Sequence, residues 1–151
     1  IGLALAPIGS YIAVSGSFAL LPVLYGLSVM LWVAGFDVMY AMQDISFDNS
    51  LNLKSIPVRW GGKQAMNISI LLHVLSGVVM ITAGIVLQMQ FPGLHIFHWL
   101  GVLVFCAFLI YQHTLVNSDD LSNINAAFFT SNGIASVVFG VLGIADFLFY
   151  L

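Results

Sequence analysis

Five long apolar runs, Ile1–Val14, Phe18–Phe36, Ile70–Leu87, Leu94–Tyr111 and Ala126–Leu151, dominate this sequence and constrain it more than any other feature. A helix needs about 20 mostly apolar residues to cross a hydrocarbon core of about 30 Å, and every run but the first comes close to that length. None alternates polar and apolar residues as the strands of a membrane barrel do, which leaves helices that pair their own backbone groups. Charge is correspondingly scarce. Asp, Lys and Arg make up 6% of the residues, and Glu is absent, against about 25% charged residues in a soluble domain. Nine charges cannot hydrate the surface of a water-soluble globule of 16.3 kDa. The expected fold is an all-α, polytopic membrane helical bundle with about five transmembrane helices, forming a single integral-membrane domain over residues 1–151.

Other classes drop out on composition. There is no basic stripe to neutralise phosphates, so no nucleic-acid partner is expected. Cys106 is the sole cysteine, which excludes intrachain disulfides and cysteine-based metal clusters. The opening Ile1-Gly2-Leu3-Ala4-Leu5 has neither an initiator Met nor a basic leader. It reads as the inside of a helix that begins upstream, so the chain is expected to be the C-terminal part of a longer protein.

The connections differ in character. Val14–Phe18 and Gln88–Gly93 are short and uncharged, whereas Asp37–Lys63 and Gln112–Asn125 are long and polar. Five spans put the two long connections on the same side. The three cations, Lys54, Arg59 and Lys63, all fall in the first of them, so the positive-inside rule assigns that side to the cytoplasm.

Three of the six carboxylates also fall there. If the helix continues through Phe47, then Asp37, Tyr40, Asp44 and Asp48 lie within an arc of roughly 80°. Like charges one turn apart repel, and an ionised Asp directly after an apolar run is costly. No Lys or Arg lies within four residues to compensate. A hard divalent cation such as Mg²⁺ would do so, held by carboxylates, water and substrate phosphate oxygens. The plainer reading is a helix end whose carboxylates face water.

The pattern Asp37-x-x-Tyr40-x-x-x-Asp44-x-x-x-Asp48, followed by Leu53-Lys54-Ser55-Ile56-Pro57-Val58-Arg59-Trp60-Gly61, resembles the second aspartate-rich motif of the UbiA-type intramembrane prenyltransferases. The later stretch Asn125-Ala-Ala-Phe128-Phe129-Thr-Ser-Asn132-Gly133 resembles the last-helix segment of the 4-hydroxybenzoate-type polyprenyltransferases in that family. The resemblance implies a nine-helix fold around a cavity open to lipid, of which this chain would supply the last five or so helices. It also implies Mg²⁺-dependent transfer of a polyprenyl group from its diphosphate to an aromatic acceptor, such as 4-hydroxybenzoate in ubiquinone or menaquinone synthesis, in a bacterial inner membrane. Asp44 and Asp48 would ligate Mg²⁺, and Asp37 would ligate it or orient the site. Tyr40 would bond the diphosphate or line the path of the allylic cation. Lys54 would pair with diphosphate or with the acceptor's carboxylate. Arg59 would bind substrate or serve as a membrane-surface cation, and Asn125 and Asn132 would line the cavity. The family's first motif, Asn-Asp-x-x-Asp-x-x-x-Asp, is absent from this sequence.

The remaining polar residues invite plainer readings. His95 and His98 are read as interfacial, His73 as a helix-packing residue and His113 as the opening of the second polar connection. Asp119 and Asp120 suit the N-terminus of the last helix. Asp146 is expected to reach interfacial water. The competing function is a transporter or quinone-binding subunit that uses intramembrane Asp residues as relays. Its acidic groups would sit nearer the bilayer midplane, whereas here they lie at the end of a span.

Overall fold

The structure, a computed structural model, describes residues 1–93, 96–118 and 120–150, with the backbone only at Tyr150. His95 and Asp119 therefore lie outside the described residues. Among those described, the chain is a succession of helices: α1 (Gly2–Ser15), α2 (Leu20–Tyr40), a 3₁₀ turn (Ala41–Asp44), α3 (Ile45–Ser50), α4 (Ile56–Trp60), α5 (Gly62–Gln90), α6 (Ile96–Leu115), a π turn (Ala126–Thr130) and α7 (Ser131–Tyr150). Four segments are long and apolar enough to cross a membrane: Leu20–Ser50, Gly62–Gln90, Ile96–Leu115 and Ala126–Phe149. The fifth expected span, α1, has 14 residues, about 21 Å of helix.

The stretch from Asp37 to Lys63 is largely helical, although its sequence reads as a connection. Its non-helical part is confined to residues 51–55 and Gly61. The two polar connections meet at one end of the bundle. There Val38, Met39 and Met42 of the first segment pack with Ala65 and Met66 of α5 and with Val116, Ile124 and Ala127. A second apolar cluster, deeper in the bundle, gathers Met80, Val102, Phe105 and Leu109, with Trp32 and Phe139 against them.

The helices α2 and α5 form the most extensive pairing, and small residues explain it. Ser28 and Ser76, both fully buried, exchange hydrogen bonds: Ser28 Oγ donates to the Ser76 carbonyl at 3.0 Å, and Ser76 Oγ donates to the Ser28 carbonyl at 2.8 Å. Two turns along, Ser69 Oγ donates to the Gly35 carbonyl at 2.8 Å. Each bond uses a backbone oxygen already engaged in its helix, so the two axes must approach closely. Gly26 performs the same service for α1, since a side chain there would run into the Ala4 carbonyl.

Two residues read as interfacial are in fact buried. His98 and Asp146 expose 4% and 7% of their surfaces. Asp146, near the end of α7, accepts hydrogen bonds from the backbone N–H groups of Phe97 (3.4 Å) and His98 (3.1 Å). A helix start leaves such amides without internal partners and carries partial positive charge, so a carboxylate is the natural group to meet it. The cap comes from another helix, which is why local sequence does not reveal it. Replacing Asp146 by Ala is expected to destabilise the α6–α7 pair by about 1 kcal/mol and to speed hydrogen exchange at the Phe97 and His98 amides. Asn at the same position should retain most of the protection.

Candidate active site

The acidic residues lie where α2 gives way to the 3₁₀ turn. A 3₁₀ turn advances roughly 120° per residue rather than 100°, so four such residues carry α3 about 80° beyond the phase of a continuous α-helix. The structure accordingly spreads the expected stripe around the helix. Asp37, Tyr40 and Asp44 are exposed and Asp48 is half-buried. Among the described residues, no three His, Cys, Asp or Glu side chains stand close enough together to hold a metal ion. No hydrogen bond or ion pair among the described residues engages the three carboxylates. What this end of the helix offers is a set of hard, un-neutralised oxygen donors. That chemistry fits Mg²⁺, which is usually held by one or two carboxylates and completed by water and substrate phosphate oxygens.

Lys54 lies exposed in the turn between α3 and α4. Arg59, also exposed, places its guanidinium 5.7 Å from the centre of the Trp60 ring. Asn125 is exposed just before the π turn, and Asn132 is half-buried on α7. In the second connection, Asp120 accepts a hydrogen bond from the Ser122 backbone at 3.0 Å. The Ser122 hydroxyl and that N–H together hold its carboxyl below the usual range.

Beside the acidic edge lies an apolar cavity. The Tyr40 ring packs on Phe128 with centroids 5.2 Å apart, and Phe128 meets Phe36 edge-on at 5.5 Å. Phe128 stands in the π turn, whose wider coil faces α2. From there a cavity of about 350 Å³, lined by Phe36, Trp32, Phe128, Asn132 and Ser136 among others, runs into the bundle. A further 300 Å³ continues past the shared residues Val29, Trp32 and Ser136 to Tyr25 and Pro7. Along α2 the two segments span the helix from Phe36 to Tyr25, about 17 Å. Sequence reasoning gave Asn132 a role, quoted Phe128 only within the last-helix segment and did not name Trp32. The pattern Phe128-x-x-x-Asn132-x-x-x-Ser136 does place all three on one helical face, and that is the signal a sequence offers.

A buried polar chain lies behind this cavity. His73 Nε2 stands 3.0 Å from the Trp32 carbonyl, and His73 Nδ1 stands 2.7 Å from His113 Nε2 and 2.9 Å from Gln112 Nε2. A carbonyl only accepts, so His73 carries its proton on Nε2. In the neutral ring, Nδ1 then accepts from Gln112 and from His113. His73 thus has the packing role its sequence position suggests, and His113 is tied to it. Gly35 makes the arrangement possible, because any Cβ there would overlap the His73 ring. His73→Ala is expected to leave the Gln112 and His113 donors without their shared acceptor, lowering stability by about 1–3 kcal/mol. Thermal unfolding of the detergent-solubilised chain checks this.

Helices of membrane-spanning length, an acidic helix end with no ion pair among the described residues and an apolar cavity beside it make up the candidate site. A sequence model of the UbiA prenyltransferase family matches residues 1–133, and the chain belongs to that family as a multi-pass integral membrane protein. It is similar to the 4-hydroxybenzoate octaprenyltransferase of Alkalilimnicola ehrlichii, with 29% identity over 130 residues, covering 86% of this chain and 42% of the relative. The enzymes of the same name from Shewanella denitrificans (29% identity; 79% of this chain, 38% of the relative) and Aeromonas salmonicida (27%; 86% and 43%) are similar to it as well. The chain therefore spans about two fifths of the length of these curated relatives. No solved structure matches it.

Proposed function

We propose that the protein takes part in Mg²⁺-dependent transfer of a polyprenyl group from polyprenyl diphosphate to 4-hydroxybenzoate or a related aromatic acid, a step of quinone synthesis. The observation that carries this reading is the adjacency of unpaired carboxylates at the end of α2 to a two-segment apolar cavity. An acidic edge alone would suit many functions. An acidic helix end next to apolar cavity segments of about 350 and 300 Å³, lined by aromatic and aliphatic side chains, suits an isoprenoid diphosphate.

In this reading Asp44 and Asp48 hold the metal, and Asp37 orients it or joins as a ligand. Mg²⁺ supplies neutralisation of the negative charge that grows on the diphosphate as its C–O bond breaks. Tyr40 bonds the diphosphate from the same helix, and Lys54 and Arg59 add positive charge at the mouth. The allylic carbon then faces Phe128 and Phe36, whose π faces tolerate positive charge while their bulk excludes water. The new carbon–carbon bond forms to the ring of the acceptor, the diphosphate leaves, and the ring proton is lost to restore aromaticity. Asn125 and Asn132 serve the acceptor side. In the same reading the acidic end, where the three cations are grouped, faces the cytoplasm as the positive-inside rule favours, and the prenyl tail enters from a bacterial inner membrane.

Radiolabelled polyprenyl diphosphate should bind the detergent-solubilised chain only with Mg²⁺ present. EDTA should release it, and Asp44→Asn should weaken binding at least about tenfold. Binding that ignores both the metal and the substitution would overturn this reading. In the full-length protein that carries this chain, Asp44→Asn should reduce turnover by about a hundredfold or more.

A further inference from the structure

The cavity beside the acidic end does not stop at Tyr25. A third segment of about 440 Å³ shares Pro7 and Tyr25 with the second and carries on to Val14 and Leu21. All three segments lie along the α1–α2 pair. On α1 they are lined by Leu3, Pro7, Tyr11 and Val14, and on α2 by Phe36, Trp32, Val29, Tyr25 and Leu21. Each set steps by three or four residues, so each forms one stripe on its helix. Leu3 stands at the Phe36 end and Val14 at the Leu21 end, so the segments together make a track that runs along the helix axes. Phe36 and Leu21 are about 22 Å apart along α2, against about 30 Å for a hydrocarbon core.

The walls of this track suit hydrocarbon. Ser10, which also lines the third segment, donates its hydroxyl to the Pro7 carbonyl at 3.2 Å. The Tyr25 ring meets His98 and Phe139 edge-on, at 6.3 and 6.2 Å between centroids, and so stands as a fixed wall. Tyr11 and Val14 are exposed, so the far end opens at the surface of the bundle. A polyprenyl tail matches these features. Four carbon–carbon bonds per isoprene unit extend it by about 5 Å, so about four units cover the distance from Phe36 to Leu21. The larger groove between α6 and α7, about 550 Å³, shares no lining residue with the cavity beside the acidic end. We propose that α1 and α2 form the track for the polyprenyl tail, leading it from the acidic end past Pro7 and Tyr25 toward the opposite membrane face. About four isoprene units are held by protein, and any further units pass into lipid at the open end. The substrate class is therefore a long polyprenyl diphosphate, with no upper limit on its length. This deepens the prenyl-transfer reading and rests on it.

The readout is position rather than affinity, because a tail that leaves detergent for the track exchanges one apolar surrounding for another. Two polyprenyl diphosphate probes, of two and of four isoprene units, each carry a diazirine at the far end. They are photolysed with the detergent-solubilised chain and Mg²⁺, and the labelled residues are mapped by peptide mass spectrometry. The two-unit probe should label residues 29–36 or 3–7, and the four-unit probe residues 11–25. EDTA, or an excess of unlabelled polyprenyl diphosphate, should abolish both patterns. Leu21→Trp, which fills the third segment, should cut the four-unit labelling about tenfold. Because that substitution could disturb packing, the decisive comparison is the pair of probes on the unaltered chain. Four-unit labelling at residues 29–36 or in the groove between α6 and α7 overturns the track and leaves the prenyl-transfer reading standing. So does a four-unit probe that fails to label while the two-unit probe reacts. If neither probe gives labelling that needs Mg²⁺, both fall.

Discussion

A bilayer core supplies no water to satisfy a polar group, so each polar atom that a helix carries inward has to be met by another helix. The structure depends on that constraint. The reciprocal Ser28–Ser76 bonds and the Ser69–Gly35 bond hold α2 to α5 through backbone oxygens. The histidine chain ties α5 and α6 to the same stretch of α2. These contacts are short-range and directional, so they fix the rotation of α2 as well as its position. That rotation turns Trp32 and Phe36 toward α7 and leaves the acidic turns at the end of the helix exposed. The site is thus a consequence of how the polar interior was satisfied.

Much of this architecture is legible in the sequence, because long apolar runs carry their own meaning in lipid. Four of the five runs correspond to segments of spanning length, and the small residues within them mark the close helix contacts. What the sequence conceals are features set by tertiary pairing. Asp146 looks like an interfacial residue because its two donors are backbone amides 48 and 49 residues away. His98 is hidden for a related reason. It fills space beside Gly84 of α5 and packs edge-on against Tyr25 and Phe139, none of them its sequence neighbours. The tight turn after Tyr40 escapes a regular helical wheel altogether, since a wheel assumes the same rotation at each residue.

The candidate site divides along the same line. The spacing of Asp37, Tyr40, Asp44 and Asp48, and the segment from Lys54 to Gly61, can be read directly as a motif, and the family assignment of the chain agrees with that resemblance. The cavity beside them cannot be read that way. Phe128 reaches Tyr40 through a π turn that no residue pattern announces, and Trp32 lines the cavity only once the helices are packed. Motifs report the groups that meet charge. The apolar walls of the cavity emerge from packing.

The bond between Asp146 and the start of α6 has a consequence for how the protein is made. Its donors belong to residues 97 and 98, and its acceptor is synthesised 48 residues later. Asp146 therefore cannot meet the first amides of α6 until the last turns of α7 have been made. Insertion and final packing are separate events for this hairpin. The second closes on a carboxylate of α7, so that helix acts as the clasp on the start of α6.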